Sequence, residues 1–272
     1  MSEKIAVDLG NIQKTLLLPL WGIAMETRKI KPLLVDNKAV EIMEKMDYDF
    51  STIASGISSL SQTAWILRSK YVDKTICEFL QKYPSGTIVN IGCGLDTNFE
   101  RVDNGTLQWY DLDMPDVVKL RRRFIPESDR RVFISSSFLD PDWLRQIKVN
   151  GNVLFVAAGV FYYFKEEEIK TFFTRLAGGF PGCEVFFDAS SSYGIKIANK
   201  MVIKRGGLDE KSYLVWGLEK PEDLLTWDPR IMVMETLYYF RGNRKILPFK
   251  IWLIGTFSDK TRIQYMVHIR MA

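Results

Sequence analysis

The stretch from Thr87 to Thr97 (TIVNIGCGLDT) restricts the fold of this chain more than any other. A β-branched apolar run ends there on two glycines, Gly92 and Gly94. Such a run reads as a buried strand. Glycine just beyond it allows a sharp turn with no Cβ to hold a ligand off the backbone, and the helix that follows offers free N–H groups to an anion. A turn at the carboxyl end of a parallel strand is where open α/β sheets bind ligands. Thr97 stands where a dinucleotide fingerprint would have its third glycine, so the pattern is GxG and not GxGxxG.

Four more runs of the same kind follow, at Leu107 to Leu112, Arg131 to Ser135, Val153 to Ala158 and Cys183 to Ala189, with helical segments between them. One helix opens at Pro115 and stops near Pro126. Another follows Phe164, with Glu166, Glu167 and Glu168 in its first turn and Gly178 and Gly179 beyond its end, which suits the helix dipole and a left-handed cap. Strands alternating with helices at this spacing predict parallel βαβ units with right-handed crossovers. Upstream, Ile57, Leu60, Ala64, Leu67 and Tyr71 repeat at helical steps and predict one long helix over Ser58–Tyr83, preceded by shorter ones. Downstream, residues 190–230 lack clean periodicity, and Ile231–Phe240 and Arg262–Met271 read as two closing strands. The expected organisation is a single domain: a helical arm and lid over 1–84, a ligand-binding core over 85–190, and a substrate-cap insertion with closing strands over 191–272.

The second strand ends on Asp111 and Asp113, 17 and 19 residues after Gly94. That is close to the spacing at which a carboxylate accepts hydrogen bonds from ribose hydroxyls, so a nucleoside ligand is expected. Alternate strand residues share a face, so both acids are candidates, with helix capping at Pro115 the plainer role for one of them.

Composition removes other classes. A net charge of +4 is far from the basic field of a nucleic-acid binder, and no nucleic-acid partner is expected. Three scattered cysteines, Cys77, Cys93 and Cys183, and one histidine, His268, supply neither a disulfide framework nor a metal site, which fits a reduced cytoplasmic compartment. Glu3 and Asp8 precede the first apolar run, Leu16 to Met25, which Pro19 interrupts. This is neither a signal peptide nor a membrane span, and no membrane partner is expected.

Taken together, Val89–Thr97 (VNIGCGLDT), Arg101–Gly105 (RVDNG), Trp109–Asp116 (WYDLDMPD) and Leu120–Arg123 (LRRR) resemble the leucine carboxyl methyltransferase family, most nearly its tetracenomycin-type polyketide carboxyl O-methyltransferase branch. The likeness begins near Thr15–Gly22 (TLLLPLWG) and continues through Phe180–Gly182. It implies an α/β, Rossmann-like class I methyltransferase fold: a mostly parallel seven-stranded sheet flanked by helices, with an N-terminal helical extension. It also implies S-adenosyl-L-methionine as cofactor and a small-molecule carboxylate as substrate.

Carried over position by position, the resemblance puts Arg68 on the methionine carboxylate of the cofactor, Gly92 and Gly94 at the same end, and Asp113 on the ribose. Ser137 and Phe138 fall beside the adenine, with serine where the family commonly has an acid. A second departure is Ala158, where relatives carry a glutamate near the sulfonium. Loss of that charge removes ~1–3 kcal/mol of binding, and Phe161, Tyr162 or Tyr163 could offset it by cation–π attraction of ~0.5–2 kcal/mol.

A carboxylate acceptor, with an ordinary pKa of ~4, needs no general base, which suits a chain with one histidine, and no catalytic residue is assigned. The three consecutive arginines, Arg121 to Arg123, read as a solvated helix end. Leu16–Lys31 and the 200–230 region, with Tyr213, Trp216 and Trp227, are expected to form the lid and acceptor pocket. Two other readings stand beside this one: a catalytically degenerate cofactor-binding or regulatory protein, motivated by Ala158 and Ser137, and an NAD-linked oxidoreductase, resting on the glycine loop alone.

Overall fold

A computed structural model describes residues 4–10 and 12–272, which leaves Glu3 outside the described residues. Seven strands form one sheet: β1 (Thr87–Ile91), β2 (Gln108–Asp113), β3 (Arg131–Ser135), β4 (Val153–Ala157), β5 (Glu184–Ala189), β6 (Ile231–Tyr238) and β7 (Tyr265–Met271). Their spatial order is β3-β2-β1-β4-β5-β7-β6. The first five run parallel, and β7 enters antiparallel between β5 and β6. Every residue of β1, β4 and β5 is buried. Helices cover both faces of such strands, which explains continuous apolar runs in place of alternation.

The helices are α1 (Leu17–Thr27), α2 (Asn37–Lys45), α3 (Ser51–Gly56), α4 (Ser59–Lys82), α5 (Asn98–Val102), α6 (Pro115–Arg121), α7 (Glu166–Gly179), α8 (Ser192–Ala198) and α9 (Phe249–Lys260). Ser58 caps α4 by accepting from the Ser61 N–H, and Leu67, Ile76 and Leu80 pack with Ile88, Leu154 and Val156 on one face of the sheet. On the other face, Phe172, Phe173 and Leu176 of α7 pack with Phe155, Val185 and Phe187. Arm residues Leu17, Leu20 and Ile23 share a third apolar cluster with Val117 and Val118 of α6. No helix among the described residues is long and apolar enough to cross a membrane.

Strand limits differ from the sequence expectation by a few residues at most. The larger difference lies in 190–230, where α8 runs into a π-helical turn, Asn199–Ile203. Gly194 is required inside that short helix, because a Cβ there would lie 2.5 Å from the Ile263 carbonyl oxygen. A close tertiary contact of this kind leaves no periodic signal.

Beneath the glycine loop, the expectation for the arginine run fails at its first member. Arg122 and Arg123 are exposed, but Arg121 is fully buried. Its Nη1 donates to the carbonyls of Gly94 (3.0 Å) and Asp96 (2.9 Å), and its Nη2 donates to Asp111 (2.9 Å). The reason is helical period: residue 121 falls one turn after Val117 and Val118, both buried. Asp111 also accepts from Arg131 Nε, Trp109 Nε1 and Asn90 Nδ2. Burial alone would raise its pKa, but the two guanidinium groups hold the carboxyl below its ordinary range.

Removing one partner of a buried ion cluster leaves the others uncompensated. Asp111→Ala should therefore lower folding stability by about 3–5 kcal/mol, read from the midpoint and slope of chemical denaturation. An unchanged midpoint would show that the cluster does not hold the loop.

Candidate active site

The loop after β1 turns through two left-handed residues, Gly92 (φ +63°) and Gly94 (φ +50°). A Cβ at Gly92 would lie 2.5 Å from Val160 Cγ2, and one at Gly94 would lie 3.2 Å from Leu16 Cβ. Both conformation and space therefore call for glycine. Asp113 closes β2 beside the loop: Oδ2 accepts from the Gly94 N–H and Oδ1 from the Met114 N–H, each at 2.7 Å. Burial pushes its pKa up to about 6 in spite of those two donors. Asp111, by contrast, is fully buried under the loop with its oxygens engaged by the arginines. The two acids thus divide: Asp113 lines the crevice, and Asp111 supports the loop from below and is not part of the cavity wall.

Across the crevice, α4 presents Arg68. Its Nη1 donates to Asp188 Oδ2 (2.9 Å) and to the Tyr162 hydroxyl (3.3 Å). The Tyr162 hydroxyl donates to the same Asp188 oxygen (2.5 Å), and Asp188 Oδ1 accepts from the Gly159 N–H (2.7 Å). Burial works against the Arg68 charge, but Asp188, with Tyr162 and Tyr239, more than offsets it and keeps the group protonated. Burial and the Asp188 charge push the Tyr162 hydroxyl well above its ordinary range.

Asp188 is a site residue that sequence reasoning missed. The register pairs Ala157 with Phe187, so Ala158 and Asp188 are the next positions on adjacent parallel strands. The available signal was an acid ending an apolar strand run, the same signal that exposed Asp113.

Arg68, Tyr162 and Asp113 open onto one cavity of ≈ 550 Å³, within the usual range for small-ligand sites, with Asp188 behind them. The structure brings Arg68, Gly92, Gly94, Asp113, Ser137, Phe138, Ala158, Tyr162 and Tyr163 to its wall. Phe138 is held edge-on by Phe164 and Phe172. The Ser137 hydroxyl accepts from the Leu139 N–H at 3.3 Å. Burial pushes the Tyr163 hydroxyl up to about 12.

Leu16, Leu20 and Ile23 roof the cavity from the arm, and Ile197, Met201 and Leu214 close another side. Tyr213, Trp216 and Trp227 are not part of that wall. Trp216 and Trp227 pack on each other and against Phe173 of α7, because an aromatic pair is better buried on the apolar sheet face than left at a crevice mouth. His268 lies on β7 with Nε2 at 2.9 Å from Glu184, away from the cavity. Burial raises the Cys93 thiol well above its ordinary range, leaving it inert.

The wall matches the chemistry of S-adenosylmethionine. The Nε and Nη2 donors of Arg68 make no hydrogen bond within the described residues and suit a carboxylate. Asp113 offers oxygens to a diol, and Ser137 with Phe138 offers a polar edge and an apolar face to a base. No group of His, Cys, Asp and Glu side chains that could hold a metal ion occurs among the described residues.

Residues 22–177 match the family model described as leucine carboxyl methyltransferase. The tetracenomycin polyketide synthesis O-methyltransferase TcmP of Streptomyces glaucescens is 30% identical over 84% of this chain and 83% of its own. The S-adenosyl-L-methionine-dependent methyltransferase dpfgK of Gibberella zeae is 25% identical over 93% of this chain and 90% of its own. Among solved structures, a DUF574-family protein from Streptomyces avermitilis superposes with a TM-score of 0.62 at 10% identity, covering 95% of this chain and 97% of that one, a likeness of fold.

If Asp113 accepts two sugar hydroxyls it must be ionised, and burial pushes its pKa up to about 6. Affinity for S-adenosylhomocysteine should therefore hold above pH 6 and fall about tenfold per pH unit below it. Asp96, which also lines the cavity, is likewise pushed up to about 6 by burial, so a control is needed. Asp113→Asn should weaken binding by about tenfold or more at pH 7.5, the ~1.5–3 kcal/mol of charged hydrogen bonds, and flatten the acid limb in calorimetric titration. A variant that keeps the wild-type pH profile would move the ribose contact elsewhere.

Proposed function

This chain belongs to the leucine carboxyl methyltransferase family of S-adenosylmethionine-dependent methyltransferases, and on that footing we propose that it forms a methyl ester on the carboxylate of a small, apolar, polyketide-like molecule. The cofactor supplies an electrophilic methyl group on a sulfonium. Everything else required is placement and exclusion of water: an acceptor oxygen must be held in line behind that methyl in a dry site. In this reading Arg68 holds the cofactor's carboxylate, the turn at Gly92 and Gly94 admits its amino-acid end, Asp113 grips the sugar, and Ser137 and Phe138 flank the base.

One observation supports the choice of acceptor: among the described residues the cavity wall holds no histidine, and its two carboxylates already accept from neighbouring N–H groups. Both tyrosines that reach it, Tyr162 and Tyr163, are pushed away from ionisation by burial. Asp113 is tied to backbone N–H groups, and Asp96 accepts from Asn90 Nδ2 through both oxygens, at 3.1 and 3.0 Å. An acceptor that must first lose a proton would have to compete for carboxylates already engaged, whereas a carboxylate arrives ionised. The apolar walls from the arm and from 197–214 suit a flat hydrophobic body.

The degenerate reading, prompted by Ala158, is weakened by Arg68, which the fully buried Asp188 orients toward the cavity wall. The dinucleotide reading gives way to the family membership.

The deciding experiment supplies methyl-labelled cofactor and a panel of aromatic and polyketide-like carboxylic acids and phenols. The expected product carries label that mild alkali releases as methanol, as an ester does. Label that survives alkali, as in an aryl ether, would overturn the assignment to carboxylates.

A further inference from the structure

The connection from β6 to β7 carries a surface that the cavity does not explain. Between Phe240 and Gln264 the chain has six cations and a single carboxylate, Asp259. That carboxylate is buried and accepts from the backbone N–H groups of Phe240 and Arg241. Five of the cations, Arg241, Arg244, Lys245, Lys250 and Lys260, are exposed, and none forms an ion pair among the described residues. Three other exposed cations have a carboxylate partner, Arg28 with Glu44, Lys45 with Glu41 and Arg122 with Glu127, whereas this turn offers its cations none.

The same segment exposes its large apolar side chains. Phe249, Leu253 and Phe257, at successive turns of α9, are 65%, 53% and 64% exposed, and Ile246 and Ile254 lie beside them. Arg244 sits over the Trp252 ring, 5.1 Å from its centroid. The opposite side of α9 is anchored: Gly255 abuts Phe240, and Ser258 reaches the cavity wall together with Phe240, Ile263 and Gln264.

We propose that α9 and the basic turn before it dock this protein on an anionic membrane surface. A short helix with an apolar stripe at i, i+4 and i+8, edged by lysine and arginine, buries its stripe at the headgroup boundary while its cations meet lipid phosphates and carboxylates. Charge decides against a second copy of this chain: a twofold contact through this face would set the same five unpaired cations against themselves. The expectation of no membrane partner rested on the lack of a spanning segment, and lying on a bilayer requires none. Because α9 also walls the cavity, docking places that cavity beside the lipid.

The test is co-sedimentation of the full chain with phosphatidylcholine vesicles, with and without phosphatidylserine, with no methyl donor or acceptor present, so that it stands apart from the proposed reaction. Retention should be at least about tenfold greater with phosphatidylserine and should weaken with salt. Two variants should each abolish it: Arg244→Glu with Lys245→Glu and Lys250→Glu, and Phe249→Ser with Leu253→Ser and Phe257→Ser. Circular dichroism and S-adenosylhomocysteine affinity should be unchanged in the charge variant, which keeps the apolar face intact. Wild-type protein left in the supernatant, retention indifferent to phosphatidylserine, or a dimer in sedimentation that the phenylalanine variant dissociates would each overturn the proposal.

Discussion

The buried guanidinium of Arg121 is the part on which the site depends. A loop with two left-handed glycines exposes carbonyls that neither strand nor helix can satisfy, and an unpaired buried carbonyl is costly. Arg121 donates to two of them from one nitrogen and to Asp111 from the other, tying loop, second strand and α6 into one unit. Arg131 adds a second cation on Asp111 and reaches Glu100 at 2.7 Å, so α5 is tied in as well. Desolvating such charges is expensive, and the Asp111 carboxylate between the two guanidinium groups offsets it, although Arg121 Nε and Arg131 Nη2 stay without a partner. The return is a loop already in place before a ligand arrives, which reduces the ordering that binding must supply.

Charge on the other wall is arranged by the same logic. Asp188, with no exposed surface, takes a hydrogen bond from the backbone at Gly159, another from Tyr162 and a third from Arg68. It fixes the direction of the arginine while leaving two of its nitrogens open to the cavity. Such a cation, held at the rim of an apolar space, suits a ligand with an amino-acid end.

Much of this was legible in the sequence because it depends on local pattern. Strands buried on both faces must be apolar throughout, so the five core runs stand out. A turn needing positive φ shows itself as glycine, and an acid ending a strand announces Asp113. What was hidden depends on contacts between distant segments. Arg121 reads as part of a solvated run unless its place one turn after Val117 and Val118 is weighed. Asp188 reads as an ordinary strand end until the parallel register sets it beside Ala158. Trp216 and Trp227 look like pocket aromatics in an irregular stretch, yet they pack on α7 because the sheet face there is open to them. The 200–230 stretch was expected at the pocket, and Met201, Val202, Ile203 and Leu214 do line it, but its elements were not legible because α8 and its π-helical turn are held by tertiary contacts rather than by an amphipathic repeat.

The most direct test of the account is a crystal structure of the protein with S-adenosylhomocysteine. The account predicts ligand density over the bend at Gly92 and Gly94, with the sugar hydroxyls on the Asp113 carboxylate, the amino-acid end on the open nitrogens of Arg68, and the base between Ser137 and Phe138. Density placed elsewhere, or a sugar that leaves Asp113 untouched, would contradict it.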